Sequence, residues 1–123
     1  KVVDKAAAIQ IQALPCAEVP GSDSPVIRYS AENIYRQGAA LPKEEGLACL
    51  EVLADWLKSV PQSRWQVTVA SSEEHGFAPL ALAQKRQELL VRFFNRKGID
   101  TADWTWQAVK DAELQLQLAL PND

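Results

Sequence analysis

Apolar residues recur with helical periodicity in LALAQKRQELLVRFF, the stretch from Leu80 to Phe94. Leu82, Arg86 and Leu90 are spaced four residues apart, which places them on one face of an α-helix. Such a face normally packs against a protein core, where an unpaired guanidinium costs several kcal/mol. Arg86 must therefore either extend its head group to water or to a neighbouring carboxylate, or form an anion-binding site.

A second helical pattern begins at Glu44 and ends before Pro61. The predicted buried stripe of this first helix comprises Leu47, Leu50, Leu53, Ala54, Leu57 and Val60. Pro79 suits the first turn of the later helix, which we expect to run to Lys97. Gly98 then supplies a left-handed cap, with Ile99 as its apolar contact.

Alternation of apolar and polar residues predicts the strands. The predicted strands are Ile9 to Ala13, Val26 to Tyr29, Trp65 to Val69, Trp104 to Val109 and Leu114 to Leu120. For the first of these a helix stays open, because the alanines before Ile9 suit a helix equally well. Because only a short segment at Lys110 and Asp111 separates the last two, we expect them to form a hairpin. The order strand, helix, strand, helix, strand, strand predicts a two-layer α+β sandwich, a mixed sheet with both helices on one face.

The chain of 123 residues is long enough for one domain. Residues 1–25 are interpreted as an N-terminal arm with a Pro/Ser-rich linker, in which 15–25 form a loop, and residues 26–120 as the domain. Thirteen basic and 16 acidic residues give a net charge of -3, with no basic stripe to bind nucleic acid. No apolar stretch is long enough to cross a bilayer, so we expect membrane association only through an anchor outside this sequence.

Two cysteines, Cys16 and Cys49, are too few for a metal site and lack a CxxC spacing. They either form a disulfide, which implies an oxidising compartment, or are two unconnected buried thiols.

His75 is the only histidine, and no nucleophile motif accompanies it. The sequence therefore predicts neither an enzyme nor a cofactor.

Two segments resemble the OmpA-like domain, the peptidoglycan-binding module of outer-membrane proteins, peptidoglycan-associated lipoproteins and flagellar stator proteins. IYRQGAALPKEEG is similar to the segment before the family's first helix, and LALAQKRQELLVRFFNRKGI to its LSxxRAxxVxxxLxxxGI run. The resemblance covers Val26 to Leu120. It implies an OmpA-like sandwich without catalytic activity.

The resemblance implies a role for Arg86, which occupies the position of the family's arginine. In the family this side chain faces a groove and binds a carboxylate of diaminopimelate in the peptidoglycan stem peptide. The family's aspartate, which binds the amino group of that ligand, is replaced here by Ser71, and its asparagine by Pro79. Glu73 or Glu74 either supplies a substitute carboxylate or belongs to a solvated acidic loop.

Two functions follow from this resemblance and its departures. The domain is either a divergent peptidoglycan binder that uses Arg86, or an OmpA-like fold that has lost this ligand and serves as a protein-interaction or structural module. Both imply the periplasm, association with the outer or inner membrane, and envelope proteins as partners. On the groove interpretation, replacing Arg86 by alanine should abolish ligand binding at little cost in stability.

Overall fold

The computed structural model describes residues 14–18, 26–59, 64–72, 78–110 and 116–119. The elements are β1 (Ala17–Glu18), β2 (Val26–Tyr29), α1 (Ala31–Ile34), α2 (Glu44–Ser59), β3 (Gln66–Ser71), α3 (Pro79–Arg96), β4 (Thr105–Lys110) and β5 (Leu116–Ala119). The predicted order of the main helices and strands is confirmed. The predicted strand from Ile9 to Ala13 lies outside the described residues.

The five strands form one mixed sheet in the order β1-β2-β5-β3-β4. Strands β3 and β4 are parallel, and the other neighbouring pairs are antiparallel. Register places Ile27, Leu118 and Val67 side by side on one face, where all three are buried. The buried side chains of α2 and α3 join these residues in a single core, which confirms the two-layer α+β sandwich.

The predicted hairpin between the last two strands is wrong. Strand β3 lies between β4 and β5 and pairs with both. Helix α3 returns the chain so that β4 runs parallel to β3, as expected for a strand-helix-strand crossover. Strand β5 then fills the gap between β2 and β3, where Leu118 is completely buried.

Both long helices follow their predicted bounds closely. Helix α3 has Pro79 in its first turn, and Gly98, just after its end, has φ of +88°, the left-handed conformation expected of the cap. Ile99 packs against the core as predicted. Leu47 of α2 departs from the predicted buried stripe, because 39% of it is exposed.

Residues 14–18 are attached to the domain by three kinds of contact. Leu14 is buried in the core, and β1 pairs with β2. Cys16 forms a disulfide with Cys49 of α2, with 6.1 Å between the two Cα atoms. The expectation that residues 15–25 form only a loop is therefore wrong for Ala17–Glu18, because the disulfide and the edge of β2 hold this segment extended.

Candidate functional site

Two polar or charged side chains are buried among the described residues, and both are predicted site residues. Ser71 is 0% exposed and Arg86 is 1% exposed. Ser71 ends β3 on the same face as Val67 and Val69, the face that packs into the core. Arg86 lies on the buried face of α3, which packs against β3. The fold thus places both residues in the layer between helix and sheet.

The head group of Arg86 is held by the segment that precedes α2. Its Nε donates a hydrogen bond of 2.8 Å to the carbonyl oxygen of Ala39. Its Cζ lies 4.2 Å from the centroid of the Tyr35 ring, a cation–π distance. The guanidinium therefore does not extend to water, and its buried charge is compensated inside the protein.

A tight turn presents the Ala39 carbonyl to Arg86. Tyr35 and Pro42 form an isolated antiparallel bridge, which closes the segment between them into a loop. Gly38, at φ of +78°, occupies the left-handed region that glycine adopts without steric cost. The Ala39 amide donates to the Arg36 carbonyl across this turn, at 3.0 Å. Arg86 thereby connects α3 to a loop that is 47 residues away in sequence.

Burial dominates the electrostatics around Tyr35. It raises the pKa of the Tyr35 phenol well above its usual range, and the nearby positive charge of Arg86 offsets part of this effect. The Tyr35 hydroxyl has no hydrogen-bond partner in the described part of the chain. The ring thus contacts Arg86 through its π face while its hydroxyl remains neutral.

The structure places the other predicted site residues as follows. The Ser71 hydroxyl donates to the carbonyl oxygen of Ser72, at 3.3 Å. Glu73 and Glu74 lie outside the described residues, so their predicted role stays a prediction.

Within the described ranges, no group of three His, Cys, Asp or Glu side chains could hold a metal ion. No helix in those ranges is long and apolar enough to span a membrane.

Sequence reasoning missed Tyr35 and Ala39 as partners of Arg86. Ala39 acts through its backbone carbonyl, which any residue type could supply, so its side chain gave no signal. Tyr35 does stand in the IYRQGAAL segment that resembles the family, and an aromatic residue is a recognised partner for arginine. Its proximity to Arg86 depends on how the loop closes.

The fold is that of OmpA-like domains, which confirms the resemblance at the level of structure. The chain is similar to the cell wall anchor of the T6SS from Pseudomonas aeruginosa, with TM-score 0.70 and 17% identity over 98% of this chain and 97% of that chain. It is also similar to a putative MotB-like protein from Desulfovibrio vulgaris, with TM-score 0.80 and 11% identity over 98% and 91%. At these identities the likeness establishes the fold alone.

A third similar structure is the OmpA-like domain of FopA1 from Francisella tularensis subsp. tularensis SCHU S4. Its TM-score is 0.60, with 12% identity over 86% of this chain and 79% of that chain. No protein-family model matches the sequence. No curated protein sequence matches it either.

Proposed function

We propose that this chain is a non-catalytic domain of the bacterial cell envelope that binds the diaminopimelate-containing stem peptide of peptidoglycan through Arg86. The observation that carries the proposal is the complete burial of this arginine in an OmpA-like fold, at the position that the resemblance assigns to the ligand-binding arginine. A buried guanidinium is costly, and an apolar residue would fill the same space more cheaply. A cell wall anchor among the similar structures supports the same function.

The geometry suits carboxylate recognition. The Ala39 carbonyl and the Tyr35 ring hold the guanidinium at a defined place in the layer between helix and sheet. Arginine binds a carboxylate through two parallel hydrogen bonds, which are strongest in a site shielded from water. Because Arg86 is 1% exposed, a carboxylate reaches the guanidinium only when the loop that contains Tyr35 and Ala39 moves aside.

Glu73 and Glu74 are proposed to bind the ammonium group of the same ligand. They follow Ser71, which ends β3 in the layer that contains Arg86. A serine hydroxyl at that position is neutral, so an attractive charge for an ammonium has to come from neighbouring residues. The proposed compartment is the periplasm, where the Cys16–Cys49 disulfide would be stable.

A second function has its own supporting observation. Arg86 already contacts Ala39 and Tyr35, so it also serves to hold the loop against α3. On this alternative the domain keeps the OmpA-like fold as a protein-interaction or structural module and does not bind peptidoglycan. The two functions differ in whether the guanidinium can bind the carboxylate of a ligand.

The test is a titration of the isotopically labelled domain with a diaminopimelate-containing muropeptide, followed by NMR amide shifts. We expect shifts at Ala39, Ser71, Ser72 and Arg86 at ligand concentrations up to about 1 mM, a weak-binding range. The matched ligand carries lysine instead of diaminopimelate, which removes one carboxylate and leaves the amine. It should bind at least about tenfold more weakly, as expected for loss of a charge-assisted pair.

Two variants of α3 test whether muropeptide binding depends on Arg86 specifically. Arg86→Lys keeps the positive charge but loses the planar fork, so it should weaken muropeptide binding by about tenfold or more. Arg92→Lys, on an exposed position of the same helix, is the control and should bind as the parent does. Absence of shifts in a folded parent domain would favour the module that has lost peptidoglycan binding.

A further inference from the structure

An apolar groove of about 700 Å³ opens between the loop that precedes α2 and helix α3. Its lining includes the buried side chains of Tyr35, Leu90 and Phe93 and the exposed side chains of Leu41 and Leu47. The volume lies within the range of about 300–1,000 Å³ typical of ligand sites. Neither the predicted site residues Ser71 and Arg86 nor the disulfide lines this groove.

Apolar surface extends from the groove onto its rim. Leu41 is 67% exposed and Leu47 is 39% exposed, although the sequence pattern placed Leu47 on a buried stripe. Large apolar side chains gathered at one concave surface are typical of an interaction site. Because the leucines lie at the mouth rather than in an enclosed cavity, the surface suits a macromolecular segment better than a small amphiphile.

The charged residues that line the groove in the described part of the chain are both arginines. Arg92 and Arg96 line the groove one helical turn apart, and no acidic side chain of the described ranges lines it. Arg92 forms an ion pair of 2.9 Å with Glu88. No acidic side chain pairs with Arg96 in the described part of the chain. The rim is therefore complementary to an acidic partner.

We propose that this groove binds a short amphipathic helix of a partner protein, apolar on one face and acidic along its flank. Leu89 and Phe93 are one turn apart on α3, which matches apolar side chains spaced at i and i+4 on a docked helix. Arg96 would contact its carboxylates, and Arg92 at the same spacing would do so by exchanging its Glu88 partner or sharing its guanidinium with it. The proposal does not depend on peptidoglycan binding.

The experiment selects binders from a random phage-displayed library of peptides about four helical turns long, with the oxidised domain as bait. We expect the enriched peptides to combine apolar residues at helical spacing with acidic residues. Their affinity is then measured by fluorescence anisotropy with synthetic peptides. Leu47→Asp should weaken binding at least about tenfold, and Arg96→Glu at least about fivefold.

Two control variants make the same kinds of substitution at exposed positions outside the groove. Val52→Asp lies on the same helix as Leu47, is 42% exposed and does not line the groove. Arg64→Glu reverses an exposed arginine outside the groove. Both should bind within about twofold of the parent, the effect expected of a distant surface change.

Three results would overturn the proposal. The first is the absence of enriched peptides, and the second is enrichment of peptides without acidic residues. The third is binding that tolerates both Leu47→Asp and Arg96→Glu. Laurate is tested in parallel, and a groove that binds laurate but none of the peptides would belong to a small amphiphile instead.

Discussion

At the scale of single residues, Arg86 shows how a charge can occupy the core-facing side of a helix. Its Nε is bonded to a backbone carbonyl, and its guanidinium lies over an aromatic ring. The earlier expectation that Arg86→Ala would cost little stability does not fit this burial. Truncation would leave a cavity and deprive the Ala39 carbonyl of its donor, each a recognised cause of destabilisation.

The buried tyrosines predict a loss of stability in alkaline solution. Burial raises the pKa of Tyr29 and of Tyr35 above the value of about 10 found in unfolded chains. The folded state therefore keeps both phenols neutral while the unfolded chain releases their protons, so this contribution is present below about pH 10 and is lost above it. Each tyrosine should lower the free energy of unfolding by up to about 1.4 kcal/mol per pH unit.

Urea unfolding between about pH 9 and 12 measures this slope. Tyr35→Phe is the matched variant, because it keeps the ring beneath Arg86 and removes the ionisable hydroxyl. Its slope should be smaller by the contribution of one tyrosine. Equal slopes in the parent and the variant would show that Tyr35 ionises normally in the folded domain.

At the scale of elements, the close approach of α1 and α2 depends on a glycine. A Cβ atom built on Gly46 would overlap the backbone carbonyl of Ile34. The amide of Lys43, the residue before α2, donates to this same carbonyl at 2.9 Å, so the chain entering α2 is bonded to the end of α1. Only a residue without a side chain permits this contact.

Gly46→Ala should destabilise the domain even though alanine is the better helix former. Backbone atoms must move to admit the methyl group, and we expect a loss of about 2 kcal/mol or more in the free energy of unfolding. Gly98→Ala is the comparison: its φ of +88° disfavours alanine, but the nearest atom lies 3.8 Å from the added Cβ. It should cost about 1 kcal/mol. Denaturant unfolding of both variants checks this order, and a smaller effect at Gly46 would contradict it.

At the scale of the whole molecule, the Cys16–Cys49 disulfide joins the N-terminal segment to α2 across 33 residues. This bridge and the pairing of β1 with β2 make residues 14–18 part of the folded unit. Closing a loop of that length in the unfolded chain should stabilise the domain by about 3 to 4 kcal/mol in the chain-entropy description.

Removing the bridge tests this contribution. The double variant Cys16→Ala with Cys49→Ala should lose about 3 to 4 kcal/mol in the free energy of unfolding, measured by denaturant titration. Reducing agent should destabilise the parent by a similar amount and leave the variant unchanged. If the free energy of unfolding of the parent is the same with and without reductant, the bridge contributes little.

The sequence by itself determined the two long helices, the strands Val26–Tyr29 and Gln66–Ser71 to within a residue or two, and the α+β class. These follow from periodicity, which is a local property of the chain. It also singled out Arg86, because a charge in an apolar stripe is visible without coordinates. The resemblance to OmpA-like domains supplied the fold that the structure confirmed.

Tertiary structure alone decided the place of β5 beside β3, the approach of Tyr35 and Ala39 to Arg86, and the exposure of Leu47. Each depends on contacts between residues that are distant in sequence. A local pattern of apolar and polar residues does not reveal such contacts. A helical stripe predicts which face turns inward, but the shape of the opposing surface determines whether each residue on it is covered. Leu47 lies where that surface opens into a groove, and Arg86 lies where a distant loop closes over it.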